Sequence, residues 1–293
     1  MAKTVHVVIN PASGQPQPVL HTLNKVFRAA KVSWDISITQ HSGDAERFAR
    51  QAASSGVDVV VAYGGDGTVT EVARGLVGSR ASMAILPGGT ANLMSVELGI
   101  PKDLEKAATI AAGSASKLRQ VDMGKIGDTF FLLRVGLGFA ARKVRIADRQ
   151  LKDKYGMMAY SIGALKALQQ SDTAHYHITL DGQTIEADGL TCLVDNAGNM
   201  GVSGISPARN INVSDGLLDV ILIRDARFRS WVAIGASLVD AQPDANSFSH
   251  WQARQIHIEA DPSQPVQIDG EIAGRTPISI EVVPQAIRML VAG

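Results

Sequence analysis

The sequence predicts a doubly wound α/β domain followed by a domain of antiparallel β-strands, and three observations carry that reading. Strand and helix signals alternate from the N-terminus to about Ala111. Beyond about Asp122 they give way to closely spaced strands. Three glycine-bearing loops each lie between a strand and the helix that follows it.

The first domain is read element by element. Val5 to Ile9 is a short β-branched run, followed by a Pro/Gly/Ser loop and a helix from Val19 to Ala30 with Leu20, Leu23 and Phe27 on one face. Trp34 to Thr39 alternates as a strand. Ser42 is the expected N-cap of a helix carrying Ala45, Phe48, Ala49 and Ala52 at helical spacing. Val57 to Ala62 and Met83 to Leu86 are the next strands. Val69, Val72, Ala73 and Leu76 mark the helix behind the first of these, and Ala91 to Leu98 the helix behind the second. Leu104, Ala107, Ala108 and Ala111 give one more helix. Repeated units of this kind build a parallel sheet with helices on both faces.

The second region contains strand-like runs at Phe130 to Val135, His175 to Leu180, Thr184 to Ala187, Leu190 to Val194, Leu217 to Ile223, Gln255 to Glu259, Val266 to Ile268 and Ile278 to Val283. Asp181-Gly182 joins two of them as a hairpin, because glycine accepts the positive φ of a type I′ turn. A helical insertion is expected over roughly Ala140 to Leu168. The expected division is residues 1–123 and 124–284, with segment 285–293 left open as a strand completing the first domain.

At 293 residues the chain is long enough for two domains, each with its own core. Lys plus Arg and Asp plus Glu both total 28, so no net field draws the protein to nucleic acid, and no nucleic-acid partner is expected. Cys192 is the single cysteine, which excludes an intrachain disulfide and fits a reducing compartment; it falls in a strand-like run and reads as core. Met1 to Asn10 has no signal-peptide character, and apolar stretches are broken well before the ~18–20 residues of a membrane span. A cytoplasmic protein that meets lipid only peripherally is expected. A homodimer is left open.

Loops leaving the carboxyl ends of parallel strands gather along one edge, where ligands bind. Asn10-Pro11-Ala12-Ser13-Gly14 follows the first strand, Gly64-Gly65-Asp66-Gly67-Thr68 the third, and Gly88-Gly89-Thr90-Ala91-Asn92 the fourth. Glycine lets backbone N–H groups approach a phosphate, and the next helix presents its positive end to the anion. Asp66 can hold a metal ion or orient its water, and Thr68 and Thr90 offer hydroxyls. No G-x-x-x-x-G-K-[ST] occurs, so this is not a P-loop enzyme. Gly136-Leu137-Gly138-Phe139-Ala140-Ala141 formally matches a dinucleotide fingerprint but has no βα unit behind it, and it is discounted.

The three loops, in this order and spacing and together with Glu71, resemble the diacylglycerol kinase catalytic family, which includes sphingosine kinases and many bacterial lipid kinases. The likeness continues through Val121-Asp122-Met123-Gly124, Ser214-Asp215-Gly216-Leu217-Leu218-Asp219 and Asp269-Gly270-Glu271. It implies an α/β nucleotide domain, a C-terminal β-sandwich and an active-site cleft between them, with ATP and Mg²⁺ as cofactors and a lipid as acceptor. It further implies ATP contacts along Asn10, Ser13, Thr39, Gly64, Gly65, Asp66, Gly67, Thr68, Val69, Thr70, Glu71, Gly89, Thr90 and Asn92. Asp66 would sit near the phosphates and metal. Glu271 resembles the general base, a role that suits a carboxylate facing a weakly nucleophilic hydroxyl. Asp215, with backbone oxygens around Asn212 and Leu217, resembles a second, structural Mg²⁺ site, where Asp215-Gly216 is equally read as an ordinary turn, and Asp122 resembles an acid of the cleft, where a strand-end cap explains it as well. One departure is Leu93, where several diacylglycerol kinases carry Asp, which leaves the identity of the lipid open.

An NAD kinase shares the Gly-Gly-Asp-Gly loop but typically adds an Asn-Glu pair that this sequence lacks. A nucleotide- or lipid-binding protein without catalysis is the other reading kept. Arg142, Lys143, Arg145, Arg149, Lys152 and Lys154, followed by Met157, Met158, Tyr160 and Ile162, suggest a basic and apolar surface for anionic membrane. His175 and His177 share a strand face and are read as exposed strand positions rather than metal ligands.

Overall fold

The computed structural model describes residues 3–13, 17–114, 116–138, 173–199, 211–224 and 248–293. The expected insertion at 140–168, its basic and apolar segment, Gly14 and the run from Phe139 onward lie outside them.

The first half alternates as expected: β1 (Thr4–Ile9), α1 (Val19–Ala29), β2 (Ser33–Ile38), α2 (Asp44–Ser54), β3 (Val59–Gly64), α3 (Asp66–Leu76), β4 (Ser82–Pro87), α4 (Leu93–Glu97) and α5 (Leu104–Ala111). The strands pair in parallel in the order β2-β1-β3-β4. The step from β1 to β2 runs one way across the sheet, and the steps to β3 and β4 run the other way. With right-handed crossovers, α1 therefore covers one face and α2 and α3 the opposite one. α1 buries Leu23, Val26 and Phe27, while α3 buries Val69, Val72, Ala73 and Leu76. β3, covered on both sides, is buried at every position. The start of α2 differs from expectation. Gly43, with φ of 86°, precedes the helix, and the Asp44 carboxylate reaches back to accept the amides of Gln40 and His41, so Ser42 is not the cap.

The second half comprises β5 (Ser116–Ile126), β6 (Thr129–Phe131), β7 (Arg134–Gly138), β8 (Ala174–Leu180), β9 (Gln183–Gly189), β10 (Thr191–Asp195), β11 (Leu218–Ile223), β12 (Phe248–Ala253), β13 (Gln255–Asp261), β14 (Pro265–Ile268), β15 (Glu271–Arg275) and β16 (Ile278–Ala292). The run expected as one strand from Phe130 to Val135 is two, broken at Leu132 and Leu133. β5, β12 and β15 have no counterpart among the expected strands. β5 opens on partly exposed polar residues, and β15 is an exposed edge strand, so neither shows the alternation of a half-buried strand.

β16 joins the halves. Arg288 and Met289 pair in parallel with Ser82 and Met83 of β4, while Gln255 to Ile258 of β13 pair antiparallel with Glu281 to Ile278. The parallel sheet thus continues into antiparallel strands as β4-β16-β13-β8-β9. A second sheet, β12-β11-β10-β7-β14-β15, packs on that extension. Tyr176, Ile178, Ile256 and Ile258 from one sheet meet Val135, Leu137, Val194, Val220, Leu222 and Val266 from the other, which makes a β-sandwich core. Cys192 is buried in it, and burial pushes its thiol pKa far up. Asp181 and Gly182 both have positive φ, as a type I′ turn requires. Among the described residues no helix is long and apolar enough to cross a membrane.

Candidate active site

The three glycine loops touch one another. Asn10 donates its backbone N–H to Tyr63 O, accepts the Ala12 amide on its side-chain oxygen at 3.0 Å, and donates Nδ2 to Thr68 Oγ1 at 3.0 Å. Ser13 Oγ accepts the Gly65 amide at 3.3 Å. The first loop is therefore fastened to the second. The second is fastened to the third by Gly88 N–H to Gly64 O at 2.9 Å and by the close passage of Gly89 over Gly65. A Cβ placed on Gly89 would stand 2.6 Å from the Gly65 Cα, so only glycine allows this approach. Asn92, at φ of 50°, closes the third loop by exchanging two hydrogen bonds with the Gly89 backbone.

α3 begins at Asp66, inside this cluster. Its first-turn amides, those of Asp66, Gly67 and Thr68, have no acceptor within the helix, so the positive end of α3 opens at the point where the loops meet. Val69 and Thr70 bury their side chains, and Val69 N–H is taken by Gly65 O; any contact they offer a ligand runs through the backbone. Thr39 is buried with its backbone N–H on Ile9 O. Both Glu71 oxygens point to the start of α2, accepting from Ser42 Oγ and the Ala45 amide.

Asp66 accepts the Leu93 amide at 2.6 Å and so closes the start of α4. Burial raises its pKa above the ordinary carboxylate range. The amides of Leu93, Met94 and Asn92 oppose that shift, and the neighbouring Asp269 charge adds to it. That neighbour comes from the other half of the chain. Asp269, also raised by burial, accepts the amides of Leu132, Leu133 and Arg134 at 2.8–2.9 Å. These three bonds are what break the expected strand at 132–133. Asp269 and Gly270, with φ of 47° and 100°, form the turn between β14 and β15, and Glu271 is the exposed first residue beyond it. Arg74 of α3 donates Nε to Phe130 O at 2.7 Å, tying α3 to β6. The hairpin carrying Glu271 is thus held beside the helix whose N-terminus carries Asp66.

Asp122 is a buried strut, in keeping with the strand-end cap rather than with an acid open to a ligand. Its two oxygens accept the amides of Gly216 and Gln285, at 2.7 Å each. Asp215 accepts the Leu217 amide, and burial raises its pKa, with Asp219 and Asp122 contributing. Asn212 Oδ1 is occupied by Arg119 and the Ser214 amide, which leaves its backbone oxygen for any ligand role. The donors gathered there are oxygens beside mutually repelling carboxylates, a set that suits a hard divalent cation. Asp66 beside Asp269 poses the same problem and admits the same answer.

Several residues that shape the site were not singled out from the sequence. Asn196 donates Nδ2 to the carbonyls of Asp122 and Leu132, and Glu97 of α4 accepts the Asn199 amide. Arg134 donates to Ala197 O and Asn199 O, and its Nε lies 3.6 Å from the buried Asp195. Asp195 faces Asp219 across β10 and β11, and Asp219 meets His250 at 2.6 Å. Asp219 closes the Ser214 to Asp219 motif, but no motif surrounds the others, and strand register brings Asp195 to Asp219.

Comparison with known proteins gives the same picture over the whole chain. A model of the diacylglycerol kinase catalytic domain matches residues 4–126, and one described as a YegS C-terminal NAD kinase beta sandwich-like domain matches residues 134–291. A Staphylococcus haemolyticus protein named "Putative lipid kinase" is 30% identical, covering 87% of this chain and 84% of its own. The diacylglycerol kinase of Bacillus subtilis is 24% identical over 94% of this chain and 92% of its own. The crystal structure of a diacylglycerol kinase from Bacillus anthracis superposes with a TM-score of 0.79 at 30% identity, covering 99% and 96% of the two chains.

Proposed function

From the premise that this chain belongs to the diacylglycerol kinase catalytic family and is a lipid kinase acting on an alcohol group, we propose that it transfers the γ-phosphoryl group of ATP to a lipid hydroxyl with the help of Mg²⁺. The observation that carries the proposal is the convergence of three glycine loops around the start of α3, beside a hairpin from the other half that bears Glu271. Residues 1–123 supply the nucleotide side and 124–284 the lipid side, with 285–293 returning to the first sheet.

The amides at the start of α3 bind the phosphates, because helix N-termini attract anions. Asn10, Ser13 and Asn92 hold the loops in register; Thr39, Thr90 and the backbone from Gly64 to Glu71, with Gly89, line the nucleotide. Asp66 keeps lone-pair capacity beyond that engaged by the amides of Leu93, Met94 and Asn92 and can hold the active-site Mg²⁺. When bound, that ion neutralises charge developing on the transferred phosphoryl group. Glu271 accepts the proton of the lipid hydroxyl as it attacks, and the Asp269 anchor fixes where Glu271 stands. Asp215, with the backbone oxygens of Asn212 and Leu217, holds a second, structural Mg²⁺.

The acceptor is brought by transient peripheral contact with a membrane. Labelled ATP offered with a mixed lipid extract tests the proposal. Label should enter a lipid product identifiable by mass spectrometry, and Glu271→Ala should abolish transfer while retaining ATP binding. Full activity in that variant removes Glu271 from the role of base.

A further inference from the structure

The hairpin β8–β9 closes one edge of the large sheet, separated from the parallel strands that bear the glycine loops by β13 and β16. Its inner face is core: Ala174, Tyr176, Ile178 and Leu180 are buried. Its outer face carries an unusual set. His175 pairs across the ladder with Asp188, and His177 with Glu186. Alternation puts all four side chains on the same side of the sheet. His175 and His177 alone, two residues apart on one strand face, could hold a metal but read better as exposed strand positions. Register adds the third donor. The ligand atoms of His175, His177 and Glu186 all lie within 4.8 Å of one another. His177 Nδ1 is 3.2 Å from Glu186 Oε1, and His175 Nε2 is 3.9 Å from Glu186 Oε2.

We propose that His175, His177 and Glu186 form a surface site for a divalent transition-metal ion, zinc foremost, that staples the edge hairpin. Metal–nitrogen and metal–carboxylate bonds of about 2.0–2.2 Å in a tetrahedral arrangement separate neighbouring donors by roughly 3.3 Å. The His177 separation from Oε1 is close to that figure, while His175, 3.9 Å from Oε2, and the remaining pair, within 4.8 Å, must draw in by side-chain rotation to complete the site. A second observation points the same way. His175 Nδ1 sits 2.7 Å from Asp188 Oδ1, which directs the other nitrogen, Nε2, toward Glu186. A carboxylate holding the far nitrogen of a ligating imidazole is the usual support of a histidine–metal bond. Glu259 stands opposite His177 on β13 but is engaged by His257, which leaves the fourth position to water. Two imidazoles and a carboxylate select a borderline ion over Mg²⁺ or Ca²⁺, which prefer oxygen donors throughout.

The test is calorimetric titration of zinc into full-length, tag-free protein with excess Mg²⁺ present to occupy oxygen-only sites. One equivalent should bind. His177→Ala and Glu186→Gln should each weaken it at least tenfold, and Asp188→Asn by roughly tenfold, the usual size of an outer-shell effect. His21→Ala, on α1 and not in the hairpin, should leave it unchanged. All three ligands are substantially exposed, so the variants should fold, and zinc should raise the melting temperature of the wild type but not of the His177→Ala/Glu186→Gln double variant. Absence of saturable binding, or equal affinity in the double variant, overturns the site and leaves only cross-strand ion pairs. Lipid phosphorylation should be untouched in every variant, so failure here is separable from failure of the kinase reading.

Discussion

Replacing Gly89 with alanine perturbs the point at which the phosphate loops touch. The new Cβ would lie 2.6 Å from the Gly65 Cα and 3.1 Å from Asn92 Oδ1. Carbon atoms pack at about 3.5–4.0 Å, so the two backbones must separate by about 1 Å. Neither can yield alone, because Gly88 is bonded to Gly64 and Gly89 to Asn92. Forced overpacking of this kind costs roughly 1–3 kcal/mol, and a displacement of about 1 Å at a binding site costs on the order of a hundredfold in transfer. Gly65→Ala is the control. Its Cβ meets the Gly89 Cα at 3.5 Å, an ordinary contact, and its φ of −86° suits any residue, so its stability should change by less than about 0.5 kcal/mol. Thermal melts without ligand, binding of a fluorescent ATP analogue and lipid phosphorylation read the three effects. A Gly89→Ala protein that melts and binds nucleotide like the wild type would refute the argument that the loops meet there.

Asp269→Ala leaves three amides of the 132–134 turn without their acceptor and should cost roughly 2–4 kcal/mol in urea denaturation, with turnover falling more than nucleotide affinity because Glu271 loses its anchor. Burial raises the Asp195 pKa from 3.8 to about 6, so the folded state holds that proton more tightly than the unfolded chain. Its contribution is complete below about pH 4 and is lost as pH rises through 6, a change of about 3 kcal/mol at most. Asp195→Asn should flatten that part of the stability profile, and parallel profiles for both proteins would count against it. Asp215→Ala should make the rise in melting temperature given by Mg²⁺ smaller than in the wild type, leaving the share that comes from Asp66, whereas an unaltered rise would place the structural ion elsewhere.

The α/β half was legible because each of its signals is local. β3 is continuously apolar, α1 and α3 carry a single buried stripe, and each loop announces itself by glycine. The sandwich was legible as strands but less so as pairings, since the expected strand Ile278 to Val283 and the segment 285–293 left open as a strand of the first domain are one strand, β16, that serves β4, β5 and β13. Asp269 explains the broken strand at 132–133, yet it lies more than a hundred residues away, and no window of sequence contains both partners. The same limit hid Asp195 beside Asp219 and Arg134, whereas Glu186 lies only nine residues from His177 across the Asp181-Gly182 hairpin, and that turn alone sets their pairing. Register between distant strands is decided by the whole sheet. Asp122 left two readings, an acid of the cleft or a cap at a strand end, and the two amides on its oxygens make it a buried tie.

The most direct test is a structure of the protein with a non-hydrolysable ATP analogue and Mg²⁺. The account predicts phosphate oxygens within hydrogen-bond reach of the amides of Asp66, Gly67 and Thr68, with the Glu271 carboxylate facing the terminal phosphate. A nucleotide bound away from the start of α3, or a Glu271 turned from the phosphates, would contradict it.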